Sequence, residues 1–296
     1  DAATTEVDES RALGYEVITG GSPVILDYDG NERKGVTLEY ALVSLFDFIH
    51  LEGSMGFEMG PQMLVDLGTG VPANLGPVFQ STVGDAFNTL PEAVRGSTAI
   101  TNNGGTITDL DVSGWMFGGD GLSAYIGTGL STSAIVIPDS SNTAARPMAA
   151  LLSDPSVQEG LFGFGITNLD MGLVAYEPTL NDFLTEYGVP FTIPNFTAGR
   201  ASAEAFDIYT GSMDFMRVAG RNLAFKLNTG ENWEIAGLPS FGPAVIDWAA
   251  SFPAVEDDAA TTEVDESRAL GYEVITGGSP VILDYDGNER KGVTLE

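Results

Sequence analysis

The chain has no cysteine, one histidine and few basic residues, and each shortage excludes a class of protein. Without cysteine there is no disulfide framework, no thiolate zinc site and no cysteine nucleophile. A single histidine, His50, cannot build a histidine-rich metal site. Only 12 Lys and Arg stand against 42 Asp and Glu, and the formal charge of -30 excludes a basic face that reads nucleic-acid phosphates.

Long apolar runs are also missing. No stretch approaches the ~20 apolar residues that a membrane-spanning helix requires, so we expect no membrane insertion. The N-terminus is acidic rather than basic and apolar, so we expect any export signal to lie outside this sequence. The strong negative charge and the scarcity of lysine fit a halophilic or marine protein, and an ordinary acidic secreted protein is the alternative.

The most informative positive feature is an internal duplication. Residues 1–39 recur without a substitution as residues 258–296, which gives a period of 257 residues. A period of that length is the size of a whole domain and far exceeds the roughly 20 to 50 residues of a solenoid repeat. The duplication indicates either a window cut from an array of near-identical domains or an engineered chain whose opening segment was copied.

The duplication and the composition together suggest a domain organisation. Residues 1–10 read as an acidic linker, residues 11–253 as one β-rich repeat domain, and residues 254–267 as the second copy of the linker. Residues 268–296 are then the start of the next identical repeat. So short a segment is unable to form its own core, so we expect it to pack on something else.

Short alternating runs broken by glycine dominate the repeat. Apolar residues alternate through Val36, Leu38, Tyr40 and Leu42, and a second run sets Leu51 to Met59 against the polar series from His50 to Glu58. Alternation with period two predicts half-buried strands. We therefore predict an all-β fold with a few short helices, built as a large antiparallel sandwich, barrel or prism-like domain.

Several of these runs resemble modules of giant tandem-repeat surface proteins of aquatic bacteria, of the large-adhesin type. The runs are SPVILDYDG (22–30), LFDFIHLEGSMGFEMG (45–60), GLSAYIGTG (121–129) and LFGFGITNLDMGLVAYEPT (161–179). The resemblance implies an extracellular or cell-surface location and a part in adhesion or assembly rather than in catalysis.

One acidic turn is a candidate calcium site, and it occurs in both copies. Carboxylates clustered around a glycine can supply several oxygens to Ca²⁺. A polar hairpin turn explains the same residues through the turn preference of Asp and Gly, so both interpretations stay open. The candidate ligands are Asp27, Asp29, Asn31 and Glu32 in the first copy, and Asp284, Asp286, Asn288 and Glu289 in the second.

No catalytic residues are predicted. A Ser–His–Asp triad would need His50, and no serine lies in a G-x-S-x-G elbow. We predict a non-catalytic spacer repeat that contacts identical neighbours head to tail, with strand exchange across the boundary. The alternative is a carbohydrate-binding or carbohydrate-active module, in which Trp115, Trp233 or Trp248 would stack on surface glycans.

Overall fold

The computed structural model describes residues 15–17, 24–26, 33–135, 146–212, 218–235, 237–255 and 269–294. It is mostly antiparallel sheet with a few short helices, which confirms the predicted all-β class. The strands are β1 (Tyr15–Val17), β2 (Val24–Leu26), β3 (Lys34–Leu45), β4 (Ile49–Gly68), β5 (Ala99–Thr101), β6 (Thr106–Thr128), β7 (Phe162–Pro178), β8 (Phe196–Thr210), β9 (Val218–Gly230), β10 (Val245–Asp247), β11 (Tyr272–Val274), β12 (Val281–Leu283) and β13 (Arg290–Thr294).

The helices are short and lie in the connections between strands. A helical stretch runs through α1 (Gly76–Phe79), a π-turn (Gln80–Gly84) and α2 (Asp85–Asn88), and is followed by α3 (Glu92–Arg95). The others are α4 (Met148–Leu152), α5 (Pro155–Gln158), α6 (Leu180–Glu186) and α7 (Trp248–Ser251). Gly188, with φ of 68°, follows the end of α6 in the left-handed conformation that glycine adopts without strain.

Nine strands form one antiparallel sheet. Its order is β10-β4-β6-β7-β8-β9-β13, with β3 beside β4 and β5 beside β6. β3 and β10 pair with different parts of β4, around residues 49–59 and 66–68 respectively. The described strands leave the sheet open rather than closing it into a barrel. The remaining strands form two hairpins, β1–β2 and β11–β12, which are the two copies of one sequence in one register.

A line of irregular residues crosses the sheet at one level. Gly53, Gly121, Asn168 and Asn222 have positive φ on β4, β6, β7 and β9. The pairing register shifts beside this line between β3 and β4 and between β4 and β6. Such bulges bend strands locally. The line separates the two hydrophobic clusters that cover one side of the sheet.

The two faces of the sheet differ in what lies on them. One face, called the covered face, carries the inward side chains Val65, Val112, Met116, Val174 and Tyr125, over which the helices and the β11–β12 hairpin pack. Trp233 and Trp248 are fully buried there, where their indole N–H groups donate to the Thr69 carbonyl (2.8 Å) and to Asn228 Oδ1 (3.1 Å).

No helix in the described ranges is long and apolar enough to cross a membrane.

The opposite face, called the open face, presents apolar rows that run from strand to strand. Paired residues of adjacent antiparallel strands share a face, so the register defines these rows. One row is Leu45, Ile49, Ile126, Phe164, Ile208 and Val218; another is Leu38, Met55, Gly119, Met171, Ala201, Phe225 and Val293. None of the described residues forms a second layer over these rows, and Phe164 is 42% exposed.

The alternation in β4 correctly predicts a strand, but the side that the structure buries is the polar one. His50, Glu52, Ser54 and Glu58 are buried, whereas their apolar neighbours such as Met59 point to the open face. The reason lies in the layers above the sheet, because the covered face is the one that receives the helices and the second-copy hairpin.

Candidate assembly interface

The duplicated segment occupies two different places on one sheet. In the first copy, Lys34–Leu38 pairs with Met59–Met55 of β4. In the second copy, Arg290–Thr294 pairs with residues 228–224 of β9. Since 291 − 257 = 34, Lys291 is the second copy of Lys34. One sequence therefore forms β13 at one edge of the sheet and the start of β3 at the other edge, which β3 shares with β10.

Both copies of this strand present the same side chains to the same face. Val36 lies opposite Phe57, and its copy Val293 lies opposite Phe225. Phe225 lies in the row that contains Met55, and Met55 is two residues from Phe57 on β4, so both phenylalanines are on the open face. A slip of one residue would have turned every side chain of one copy to the other face. The pairing at the two edges is therefore compatible with one and the same strand.

The direction and the stagger of the two copies are also compatible with a single strand shared by two repeats. β4 and β9 are separated by four antiparallel steps and run the same way, so β3 and β13, antiparallel to them, share one direction. A row followed across the sheet passes through Val36, Phe57, Phe117, Leu173, Gly199, Leu227 and Lys291. Lys291 is the copy of Lys34, so a row that starts at position 36 of the first copy ends at position 34 of the second. The stagger across one period is therefore 36 − 34 = 2 residues, and an even stagger keeps every side chain on the same face.

The second-copy hairpin, β11–β12, packs against glycine residues of the sheet at a position called the glycine seat. Val274 and Leu283 are fully buried on the covered face. Beneath them, Gly56, Gly118 and Gly172 stand on β4, β6 and β7, and a Cβ added at Gly118 would come within 2.2 Å of the Ile275 carbonyl oxygen. Glycine inside a strand commonly marks a close backbone approach. The seat therefore fits this hairpin because three adjacent strands lack side chains there.

Polar contacts fix the hairpin in the seat. The Tyr285 hydroxyl donates to the Gly199 carbonyl at 2.8 Å, and the Ala249 N–H donates to the Tyr285 carbonyl at 3.1 Å. The Tyr176 hydroxyl donates to the Tyr272 hydroxyl at 3.2 Å. Burial raises the pKa of Tyr272 to about 12 and raises that of Tyr176 as well, so both hydroxyls stay protonated and neutral in this interior.

The candidate calcium residues of the second copy lie where the segment meets the sheet. Asp284 Oδ1 is 3.2 Å from Arg200 Nη1, Asp286 accepts two bonds from Arg290 Nη2 (3.0 and 2.9 Å), and Glu289 Oε1 is 2.5 Å from Lys291 Nζ. The Asn288 N–H donates to the Asp286 carbonyl at 2.6 Å. Each of the three carboxylates thus has its own basic partner.

The described ranges contain no group of three or more His, Cys, Asp or Glu that could hold a metal ion. Asp27, Asp29, Asn31 and Glu32, the candidates of the first copy, lie outside the described residues. Calcium binding at this turn stays a prediction from the sequence. Of these ion pairs only Asp284–Arg200 joins the second copy to the sheet, because the pairs of Asp286 and Glu289 lie within the segment. Glu289 reaches the sheet through the Thr229 hydroxyl, which donates to its Oε1 at 3.0 Å.

The one histidine is buried on the covered face and belongs to a partly exposed polar network. Ser44 Oγ is 3.2 Å from His50 Nδ1 and 2.6 Å from Thr132 Oγ1, and the Thr132 hydroxyl donates to Asp47 at 2.7 Å. The carboxylate thus reaches Thr132 rather than the imidazole, so these residues do not have the bonding order of a Ser–His–Asp triad.

Glu52 ties the helical layer to β4. Its Oε2 accepts the backbone N–H of Met148, the first residue of α4, at 2.5 Å. Burial raises the pKa of Glu52, while hydrogen bonds from Met148 and Tyr40 act in the opposite direction. A carboxylate that is costly to ionise therefore anchors α4 over the smaller of the two hydrophobic clusters, the one that contains Tyr125 and Met148.

The glycine seat is the part of the interface that sequence reasoning missed. Its signal was present, because Gly56, Gly118 and Gly172 each interrupt an otherwise apolar strand pattern in the runs MGF, FGG and MGL.

The tryptophans named for sugar stacking lie outside this interface: Trp233 and Trp248 are in the core, and Trp115 is half-buried on the open face. Comparisons of the chain with protein-family models, with curated proteins and with solved structures give no match.

Proposed function

We propose that this chain is a structural repeat of a tandem-repeat extracellular surface, adhesin or filament protein, and that each repeat is completed by the first residues of the next. The observation that carries the proposal is that one duplicated sequence pairs with β4 at one edge of the sheet and with β9 at the other, with the same side chains on the same face. The role of such a repeat is to extend and connect, without catalysis.

In an array, residues 258–296 are the opening of the following period. The β11–β12 hairpin then belongs to the next repeat, although it fills the covered face of this one. The strand that follows it pairs with β9 here and continues as β3 of its own repeat, where it pairs with β4. One strand thus lies between two repeats, and the antiparallel alternation passes through the boundary unbroken.

This junction resists separation in two ways. Burying side chains such as Val274 and Leu283 stabilises by roughly 1.5–3 kcal/mol each, and the β9–β13 ladder adds backbone hydrogen bonds. Pairing also covers a sheet edge that would otherwise be a template for uncontrolled association. A linear array of strongly acidic repeats would remain soluble while resisting extension.

The proposal is tested with a chain that ends at residue 257. Such a chain keeps its first 39 residues as a donor but lacks the copy that fills its own seat. It should therefore form head-to-tail oligomers whose size grows with concentration, whereas the full chain stays monomeric in sedimentation velocity. A peptide of residues 258–296 should dissolve those oligomers, while the same peptide with Gly271 and Val274 replaced by proline should not.

A shortened chain that stays monomeric and as stable as the full chain would contradict the proposal. If the shortened chain is unfolded on its own, the same peptide should restore the circular dichroism of the native sheet. Failure of the peptide to restore it would count equally against segment exchange.

A further inference from the structure

The second-copy hairpin contacts β3 as well as the strands that carry the glycine seat. The connection between β11 and β12 contains Gly277, which has φ of 80°. A Cβ added at Gly277 would lie 2.5 Å from the Leu38 carbonyl oxygen and 2.8 Å from the Met55 carbonyl oxygen. Leu38 and Met55 are paired residues of β3 and β4. The backbone of this turn therefore packs on the point where the two strands meet.

Internal hydrogen bonds order the turn that makes this contact. Thr276 is buried, and its hydroxyl donates to the Ser279 carbonyl at 2.8 Å. The Gly278 N–H donates to the same hydroxyl oxygen at 3.0 Å. A Cβ added at Gly278 would lie 2.8 Å from Ser54 Oγ, so the turn also approaches β4. The turn therefore contacts β3 and β4 as an ordered element.

Glu58 provides a second connection between β3 and the hairpin. It is buried on the covered face, two residues beyond Gly56, the glycine that meets the Ile275 carbonyl. Arg33 Nη1, directly before β3, is 3.4 Å from Glu58 Oε1. Burial raises the pKa of Tyr272 on β11, and the charges of Glu58 and Arg33 act on that pKa in opposite directions. Glu58 therefore interacts both with the start of β3 and with the hairpin.

The arginine that contacts Glu58 has a different partner in the second copy. Since 290 − 257 = 33, Arg290 is the copy of Arg33, and its Nη2 donates to both carboxylate oxygens of Asp286. In an array one arginine would have both partners. Asp286 belongs to the segment that rests on the preceding repeat, and Glu58 lies under the hairpin of the following repeat. Contacts would therefore run from one hairpin to the next through the shared strand.

We propose that the two junctions of each repeat are coupled through β3, so that filling the glycine seat of a repeat strengthens the docking of its first strand on the preceding repeat. The hairpin holds β3, and a strand that is already held loses less conformational freedom when it pairs with β9 of a neighbour. By thermodynamic reciprocity, docking strengthens seat filling to the same extent. This inference rests on the proposed function and adds that arrays assemble cooperatively.

The experiment assigns the two junctions to two chains. The donor is the full chain, in which residues 258–296 fill its own seat and cover its own β9, so that it docks only through its first copy. The acceptor ends at residue 257 and carries Gly14→Pro and Val17→Pro, which disable its own first copy as a donor. Sedimentation velocity of mixtures measures the affinity of the donor for the acceptor, and recovery of circular dichroism measures it where the acceptor folds only on binding.

The test variant of the donor is Gly277→Ala, which places a methyl group against Leu38 and lies outside the segment that enters the acceptor. The matched control is Gly287→Ala in the same second copy. A Cβ there would meet Asp247 Oδ2 at 3.2 Å and the Gly68 nitrogen at 3.3 Å, away from β3. Gly277→Ala should weaken binding to the acceptor by about fivefold or more, whereas the control should bind like the wild type.

Hydrogen exchange of residues 34–38 in the free donor should rise in Gly277→Ala and stay unchanged in Gly287→Ala. Wild-type affinity of the Gly277→Ala donor would overturn the coupling and leave the shared strand standing. Absence of binding by the wild-type donor would overturn the proposed function and this inference together.

Near-ultraviolet circular dichroism reports whether each donor variant is folded. If Gly277→Ala is unfolded, Glu58→Gln takes its place, because it removes the charge that faces Arg33 and keeps the size of the side chain. The Glu58→Gln donor should bind the acceptor more weakly than the wild type. Wild-type affinity of this variant would equally overturn the coupling.

Discussion

Single glycines determine where the second-copy hairpin can lie. A Cβ added at Gly118 would come within 2.2 Å of the Ile275 carbonyl oxygen, and a Cβ added at Gly56 would come within 2.6 Å of the same oxygen. Both positions are in strands, where glycine otherwise weakens the sheet. The close approach of two backbones explains why a residue with no side chain is present at each.

We predict that Gly118→Ala destabilises the chain by about 1–3 kcal/mol, because the added methyl group overpacks the seat. Hydrogen exchange should rise in Tyr272–Val274 and Val281–Leu283, where the hairpin is lifted. Gly160→Ala is the control, since a Cβ there meets only one carbonyl at an ordinary 3.5 Å. Equal effects of the two substitutions would show that the seat is not specific to the hairpin.

Ionisation of the buried Glu52 should cost the protein stability. Because burial raises its folded-state pKa, its contribution to stability is complete below the unfolded pKa and is lost as the pH rises through the folded value. Glu52→Gln, which cannot ionise, should therefore be more stable than the wild type at neutral pH.

Urea unfolding across pH should show this advantage shrinking towards about pH 4, where carboxyl groups are protonated. Glu186→Gln is the matched control, because Glu186 is exposed at the end of α6. A Glu52→Gln variant that is less stable at neutral pH would mean that the ionised carboxylate is needed to hold Met148.

At the scale of elements, the duplication supplies its own control, because Val36 and Val293 are the same residue in two strands. Replacing Gly292 and Val293 together with proline should break the β9–β13 ladder, because the N–H groups of consecutive residues point to opposite sides of a strand and one of the two therefore faces β9. Hydrogen exchange in residues 224–228 should then rise roughly tenfold, the equivalent of about 1.4 kcal/mol.

Replacing Gly35 and Val36, the first-copy equivalents, together with proline should instead raise exchange in residues 55–59 of β4 and leave residues 224–228 unchanged. If either substitution affected both regions equally, the two edges would not be independent docking positions.

The sequence predicts where the strands lie better than it predicts which distant elements pack on each strand. The period-two alternation from His50 to Met59 identifies β4, because the pattern is local to the strand. Which side faces the core depends on helices and a hairpin that are distant in sequence, and the structure buries the side with Glu52 and Glu58. The glycines were visible in the sequence, but their purpose was not, since the backbone they accommodate lies more than 100 residues away.

At the scale of the whole molecule, the duplication predicts a repeat, and the structure adds how one repeat meets the next. Perfect identity of residues 1–39 and 258–296 could be read from the sequence. That the two copies lie on opposite edges of one sheet depends on the register of every strand between them, which no local pattern contains. The two-residue stagger then follows from the pairing and implies an array with little offset between repeats.

The most direct test of the account is a high-resolution electron-microscopy structure of a chain lengthened by one whole period. We predict one uninterrupted antiparallel sheet, in which the strand that begins at Lys291 pairs with β9 of the first period on one edge and with the counterpart of β4 on the other. Two separate sheets joined by a linker, with the strand from Lys291 paired on only one edge, would contradict the claim that repeats share a strand.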